Sequence, residues 1–106
     1  MERKGIIKGF WNTRQVFIDG VELIPAESQK LKNHSPDGFA WGYGGSGPAQ
    51  LALAILCCYC TKENAFQLYQ EFKREVIASL PQRDFELSVE TVKTWIKNNV
   101  GTGGKA

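Results

Sequence analysis

One stretch constrains this chain more than any other: residues 33–60, NHSPDGFAWGYGGSGPAQLALAILCCYC. Its first half carries five of the eleven glycines, Gly42, Gly44, Gly45 and Gly47 among them, and its second half is the most apolar run of the sequence. Glycine serves where backbone takes positive φ or must approach another group closely. Pro48 has a fixed φ and no N–H, which suits the first turn of a helix. The pattern predicts a helix over 48–59 that is apolar nearly all round, hence central and buried. The first amides of a helix are unpaired and point outward, so this junction reads either as an anion site or as a tight structural turn.

The rest of the composition bounds the setting. A chain of 106 residues holds one core, expected over 1–100 with a flexible, glycine-rich tail at 101–106. A net charge of +2 falls short of the basic stripe of a dedicated nucleic-acid binder. No long apolar run follows Met1-Glu-Arg-Lys, so no secretory leader is expected, and the apolar segment 49–60 is too short to span a bilayer. Three cysteines, Cys57, Cys58 and Cys60, are too few and too close to form a disulfide framework. They favour a reducing cytoplasm.

In chain order, 4–10 (KGIIKGF) reads as a short strand, and Asn12-Thr13 as a turn. Residues 15–19 carry Val16, Phe17 and Ile18, a β-branched and aromatic run, and Asp19-Gly20 is a strong type I′ hairpin signal, predicting a hairpin over 15–24 that Pro25 ends. The polar segment 27–33 reads as irregular. After the central helix, Thr61 caps a second helix over 62–80, with Ala65, Leu68, Tyr69, Phe72, Val76 and Leu80 on one stripe and Pro81 as its stop. Phe85 and Leu87 suggest a strand that joins the sheet. Ser88 caps a third helix over 89–99, with Val92, Trp95 and Ile96 inward and Gly101 ending it. The expected class is α+β: a small antiparallel sheet with an N-terminal hairpin, packed against about three helices, the first of them central.

Residues 33–54, NHSPDGFAWGYGGSGPAQLALA, resemble the signature of a family of small prokaryotic and phage proteins, domain of unknown function 6166. The likeness continues through Tyr69-Gln-Glu-Phe-Lys73, Leu80-Pro81 and the helix begun by Ser88, and covers roughly 4–97. The chain departs from the family pattern after Leu56, where Cys57-Cys58-Tyr59-Cys60 replaces a more polar helix end. The resemblance implies single-domain size and a prokaryotic or phage origin. It implies no activity.

Gly42-Tyr-Gly-Gly-Ser-Gly47 fits G-x-G-x-x-G, but no buried strand precedes it and the chain is too short for a dinucleotide fold. A phosphate loop needs lysine after its last glycine, where this chain has Pro48 followed by Ala49 and Gln50. What remains is a nest of amides at Gly44, Gly45, Ser46, Gly47, Ala49 and Gln50, flanked by Trp41 and Tyr43, whose rings suit stacking on a base or sugar. Replacing Gly45 or Gly47 by valine is expected to abolish binding if either has positive φ. Gln50→Ala is expected to weaken a ligand with melting nearly unchanged.

His34, Ser35 and Asp37 tempt a triad, yet they are turn formers within four positions. The plainer reading is that they shape the entry to the glycine loop and cap backbone groups, and a polar contact from His34 or Asp37 to a ligand ranks ahead of a catalytic role. Cys57 and Cys60 form C-x-x-C at a helix C-terminus, where the dipole opposes thiolate formation, so buried free thiols without metal are expected. The tryptophans read as core or rim anchors, and the scattered lysines as solvated surface.

The function expected from these residues is a small non-catalytic, cytoplasmic binding protein (host cytoplasm if phage-encoded). It would take a nucleotide or other phosphate-bearing ligand at the loop, as in phage sequestration of a nucleotide signal, with no cofactor and no membrane partner. The alternative is a protein-interaction module, homo-oligomeric or not, in which the loop is purely structural; the third is a hydrolase.

Overall fold

A computed structural model describes residues 5–105. Lys4, the expected first residue of the opening strand, and Ala106 lie outside the described residues. The elements are β1 (Ile6–Phe10), β2 (Gln15–Ile18), β3 (Val21–Glu22), α1 (Pro25–Leu31), α2 (Ser46–Tyr59), α3 (Lys62–Phe72) with a π-helical turn (Lys73–Ile77), β4 (Phe85–Ser88) and α4 (Val89–Lys105). The class is α+β: a four-stranded sheet in the order β3-β2-β1-β4, every pairing antiparallel.

The hairpin forms where Asp19-Gly20 places it. Ile18 pairs with Val21 across the turn, and Asp19 and Gly20 take φ of 51° and 84°, the left-handed pair a type I′ turn requires. The β1–β2 connection ends on Arg14, also left-handed at φ 61°, whose guanidinium carbon sits 3.6 Å from the Trp11 ring centroid. Register fixes the two faces of the sheet. Ile7, Gly9, Val16, Ile18, Phe85 and Leu87 are mutual neighbours on the inner face, while Lys8 lies beside Phe17 and Glu86 on the outer one.

Ile7, Val16 and Phe85 of the inner face share one hydrophobic core with α2, which is buried from Gly47 to Leu56 and packs against α1, α3 and α4. This is the central helix the apolar run predicts, begun two residues earlier at Ser46. Gly9 lets the sheet approach its filling: a Cβ there would fall 2.2 Å from the Phe85 ring and 2.9 Å from Trp41. No helix among the described residues is long and apolar enough to cross a membrane.

Three sequence expectations are corrected. Residues 27–33 do not form an irregular segment, because α1 occupies most of them; Pro25 sits in its first turn, Glu27 and Lys30 are placed well for the helix dipole, and its one buried side chain is polar Ser28. The second helix does not keep α geometry to Leu80. Its last turn widens so that the Ala78 amide reaches the Lys73 carbonyl, five residues back, and Ile77 is buried in place of Val76. Gly101 does not stop α4, which runs to Lys105; glycine disfavours a helix by about 1 kcal/mol relative to alanine without forbidding it. The caps are as expected: Thr61 Oγ1 accepts from the Asn64 amide and Ser88 Oγ from the Thr91 amide.

Candidate functional site

The loop before α2 is pinned at both ends. Trp41 is fully buried, its Nε1 donating to the Arg83 carbonyl at 2.9 Å and its ring edge-on to Phe85 at 4.8 Å. Gly42 follows at φ 85°; its amide donates to the Ile77 carbonyl and its own carbonyl accepts from Gln82 Nε2, both at 3.0 Å. A Cβ on Gly42 would lie 2.7 Å from the Gln82 side chain and 3.2 Å from the Leu80 carbonyl oxygen. The loop is thereby fastened to the segment after the π turn.

Gly45 and Gly47 are not left-handed. The positive-φ glycines among the described residues are Gly5, Gly20, Gly38 and Gly42. Gly47 instead makes a close approach, since a Cβ there would meet the Ala40 Cβ at 2.6 Å and its backbone nitrogen at 3.1 Å. At Gly45 the obstacle is the Tyr43 ring, 2.5 Å away, which is 47 % exposed and free to swing. Gly47→Ala is therefore expected to destabilise by about 1–3 kcal/mol, whereas Gly45→Ala stays within about 0.5 kcal/mol. Urea unfolding of the two variants measures the difference.

Gln50 is the polar centre of the region. Fully buried inside the apolar helix, it uses both ends of its amide: Oε1 accepts from the amides of His34 (2.8 Å) and Ser35 (3.0 Å), and Nε2 donates to Ser28 Oγ (2.9 Å) and the Lys32 carbonyl (3.1 Å). It ties α1 and the segment after it to α2, and offers no surface to a ligand.

His34 is half-buried, with Nε2 2.5 Å from the Tyr69 hydroxyl and the two rings tilted at 5.3 Å. Burial, then Lys32, then Lys73 hold its pKa below the ordinary 6.5. The folded state thus favours neutral imidazole, which can accept the phenol proton. Stability linked to His34 is fully present above pH 6.5 and is lost as pH falls below it through the folded-state pKa. His34→Gln is expected to flatten that part of the fall in urea midpoint between neutral and mildly acidic pH. Asp37 is exposed on a turn closed by the Gly38 amide on the Ser35 carbonyl at 3.1 Å.

The sequence-derived candidates therefore separate. Trp41, Gly47, Ala49 and Gln50 face the interior; Tyr43, Gly44 and Ser46 are exposed, and Gly45 is partly so. The amides of Gly44, Gly45, Ser46 and Gly47 make no backbone hydrogen bond among the described residues, while Ala49 donates to the Gly45 carbonyl at 3.1 Å. The thiols also differ from expectation: Cys58 is exposed rather than buried, with Cys57 and Cys60 intermediate. All three are free and burial raises each thiol pKa, the opposite of an activated nucleophile.

The model of a family of unknown function, DUF6166, matches residues 8–98. The chain belongs to this family. No curated protein and no solved structure matches it.

In this DUF6166 protein a second surface, absent from the sequence reading, stands out. Away from the glycine loop, a hollow of about 500 Å³ opens on the outer face of the sheet, lined by Ile6, Lys8, Phe10, Phe17, Asp19 and Gly20. Phe10 is 41 % exposed and stands edge-on to Phe17 at 5.7 Å. Lys8 Nζ is 3.6 Å from Glu86, and Gln15 Nε2 donates to Glu22 at 3.4 Å across the same face. The signal was present in β1 and β2, where Ile6-Ile7 and Val16-Phe17 place apolar residues on both faces, against the one-sided alternation of a solvated sheet.

Proposed function

We propose that this protein is a small non-catalytic binding module that engages a protein partner through the outer face of its sheet. The observation carrying this reading is the hollow floored by Ile6, Phe10 and Phe17 on the outer sheet face, lined among the described residues by strand and turn residues alone. The glycine loop is then architecture, a close-packed lead into α2. A cytoplasmic accessory protein of a prokaryote or a phage is the setting that suits such a module.

A second reading, a phosphate-bearing ligand at the loop, is favoured by one observation: the exposed Tyr43 ring stands beside amides that have no backbone acceptor. The hydrolase reading is not carried forward, because His34 is turned to a tyrosine rather than to an activated nucleophile.

Chemical-shift mapping of the 15N-labelled chain separates the two readings. Titration with short peptides, inorganic phosphate and nucleoside triphosphates is expected to move amides of β1 and β2 with a peptide and to leave residues 43–47 in place. Phosphate-dependent shifts confined to 43–47 would overturn the sheet-face reading.

A further inference from the structure

Resting on that reading, we infer that the partner segment is a basic peptide carrying an apolar or aromatic anchor, seated across Phe10 and Phe17. Charge and shape together select such a segment. The chain as a whole is net positive, with 13 basic and 11 acidic residues, yet the open face has the opposite sign. Among the described residues, Glu22, Asp84 and Glu86 border it against one lysine, Lys8, and that lysine is already paired with Glu86 at 3.6 Å. Asp84 lines a second hollow, of about 300 Å³, that shares Lys8 and Phe10 with the first. The two together run along β1 and exceed what one side chain fills.

An apolar floor inside an acidic border selects a ligand that buries a hydrophobic group and places cations at its flanks. The exposed Phe10 ring adds a surface on which a guanidinium or ammonium can rest. The same border argues against the other occupants. A nucleic acid would bring phosphates against carboxylates. A second copy docked face to face about a two-fold axis would bring this acidic border against its own image.

The test uses the full chain and fluorescence anisotropy. One labelled peptide has a central tryptophan flanked by two lysines on each side; a second replaces the lysines by glutamates; a third keeps the lysines and replaces the tryptophan by glycine. An oligothymidylate is the fourth probe. The lysine–tryptophan peptide is expected to bind, with both altered peptides and the oligonucleotide weaker. Glu22→Lys, at an exposed position, should weaken it by about twofold to fivefold, and Phe10→Ser should weaken it with little change in melting. Binding of the oligonucleotide or the glutamate peptide in preference would overturn the basic-partner assignment while leaving the face a binding surface. Self-association abolished by Phe10→Ser would overturn it in favour of a second copy. If no probe binds and shift mapping finds the face inert, the assignment fails together with the reading it rests on.

Discussion

Gln50→Leu is expected to destabilise the protein by about 2–4 kcal/mol, because it strands several polar groups at once. The amides of His34 and Ser35 and the Lys32 carbonyl lose their partner, and the Ser28 hydroxyl keeps only its donation to the Pro25 carbonyl. Leucine is close to glutamine in volume, so the loss reports hydrogen bonding rather than a cavity. Three of the four groups belong to half-buried or exposed residues that water reaches, which holds the cost below the sum of four full penalties. Gln50→Ala should cost at least as much, against the unchanged melting that a ligand-facing glutamine would show. Gln67→Ala, on the exposed side of α3, should stay within about 0.5 kcal/mol. Chemical denaturation of the three variants measures this directly. Since native domains are stable by about 5–15 kcal/mol, the Gln50 variants should lose a large share of their margin.

Trp41→Ala is expected to cost about 3–5 kcal/mol, the range for removing a fully buried aromatic. Its ring fills the space between the sheet and the start of α2, edge-on to Trp11 at 5.7 Å as well as to Phe85. Removal opens a cavity at the junction and leaves the Arg83 carbonyl without its donor. The companion test enters from the other side. Gly9→Ala places a methyl where the Phe85 ring lies, and should cost about 1–3 kcal/mol by overpacking. Because both residues act on one contact, the double variant should fall short of the sum of the two. Additivity within experimental error would show that they do not share the site.

The elements legible in the sequence are those whose signal is local. Asp19-Gly20 demands left-handed backbone at both residues, and the hairpin follows from two positions. Apart from Gln50, the run 47–56 is apolar on every side, so only a central helix accommodates it. Elements decided by distant partners were not legible. α1 offers no apolar stripe, since its buried residue is Ser28, whose burial is satisfied by Gln50, 22 positions away. The π turn is invisible to a three-and-four spacing rule, because it exists to bring in Ile77, the fifth residue after Phe72. Gln50 itself carried a readable anomaly, one polar side chain within a wholly apolar helix. Its partners lie 15 to 22 positions earlier, and pairing them required the fold. In the glycine loop Gly47 serves close packing on Ala40, a distinction that composition does not express.

On the reading proposed here the glycine loop is architecture and binding belongs to the sheet. Thermal unfolding of the native chain and of Tyr43→Ala, each with and without excess inorganic phosphate or nucleoside triphosphate, tests it most directly. A ligand at one hundred times its Kd would stabilise the native state by about 2.7 kcal/mol, a shift of several degrees. The account predicts no phosphate-dependent shift in either protein and nearly equal melting of the two. A rise in the native chain that Tyr43→Ala abolishes would contradict it.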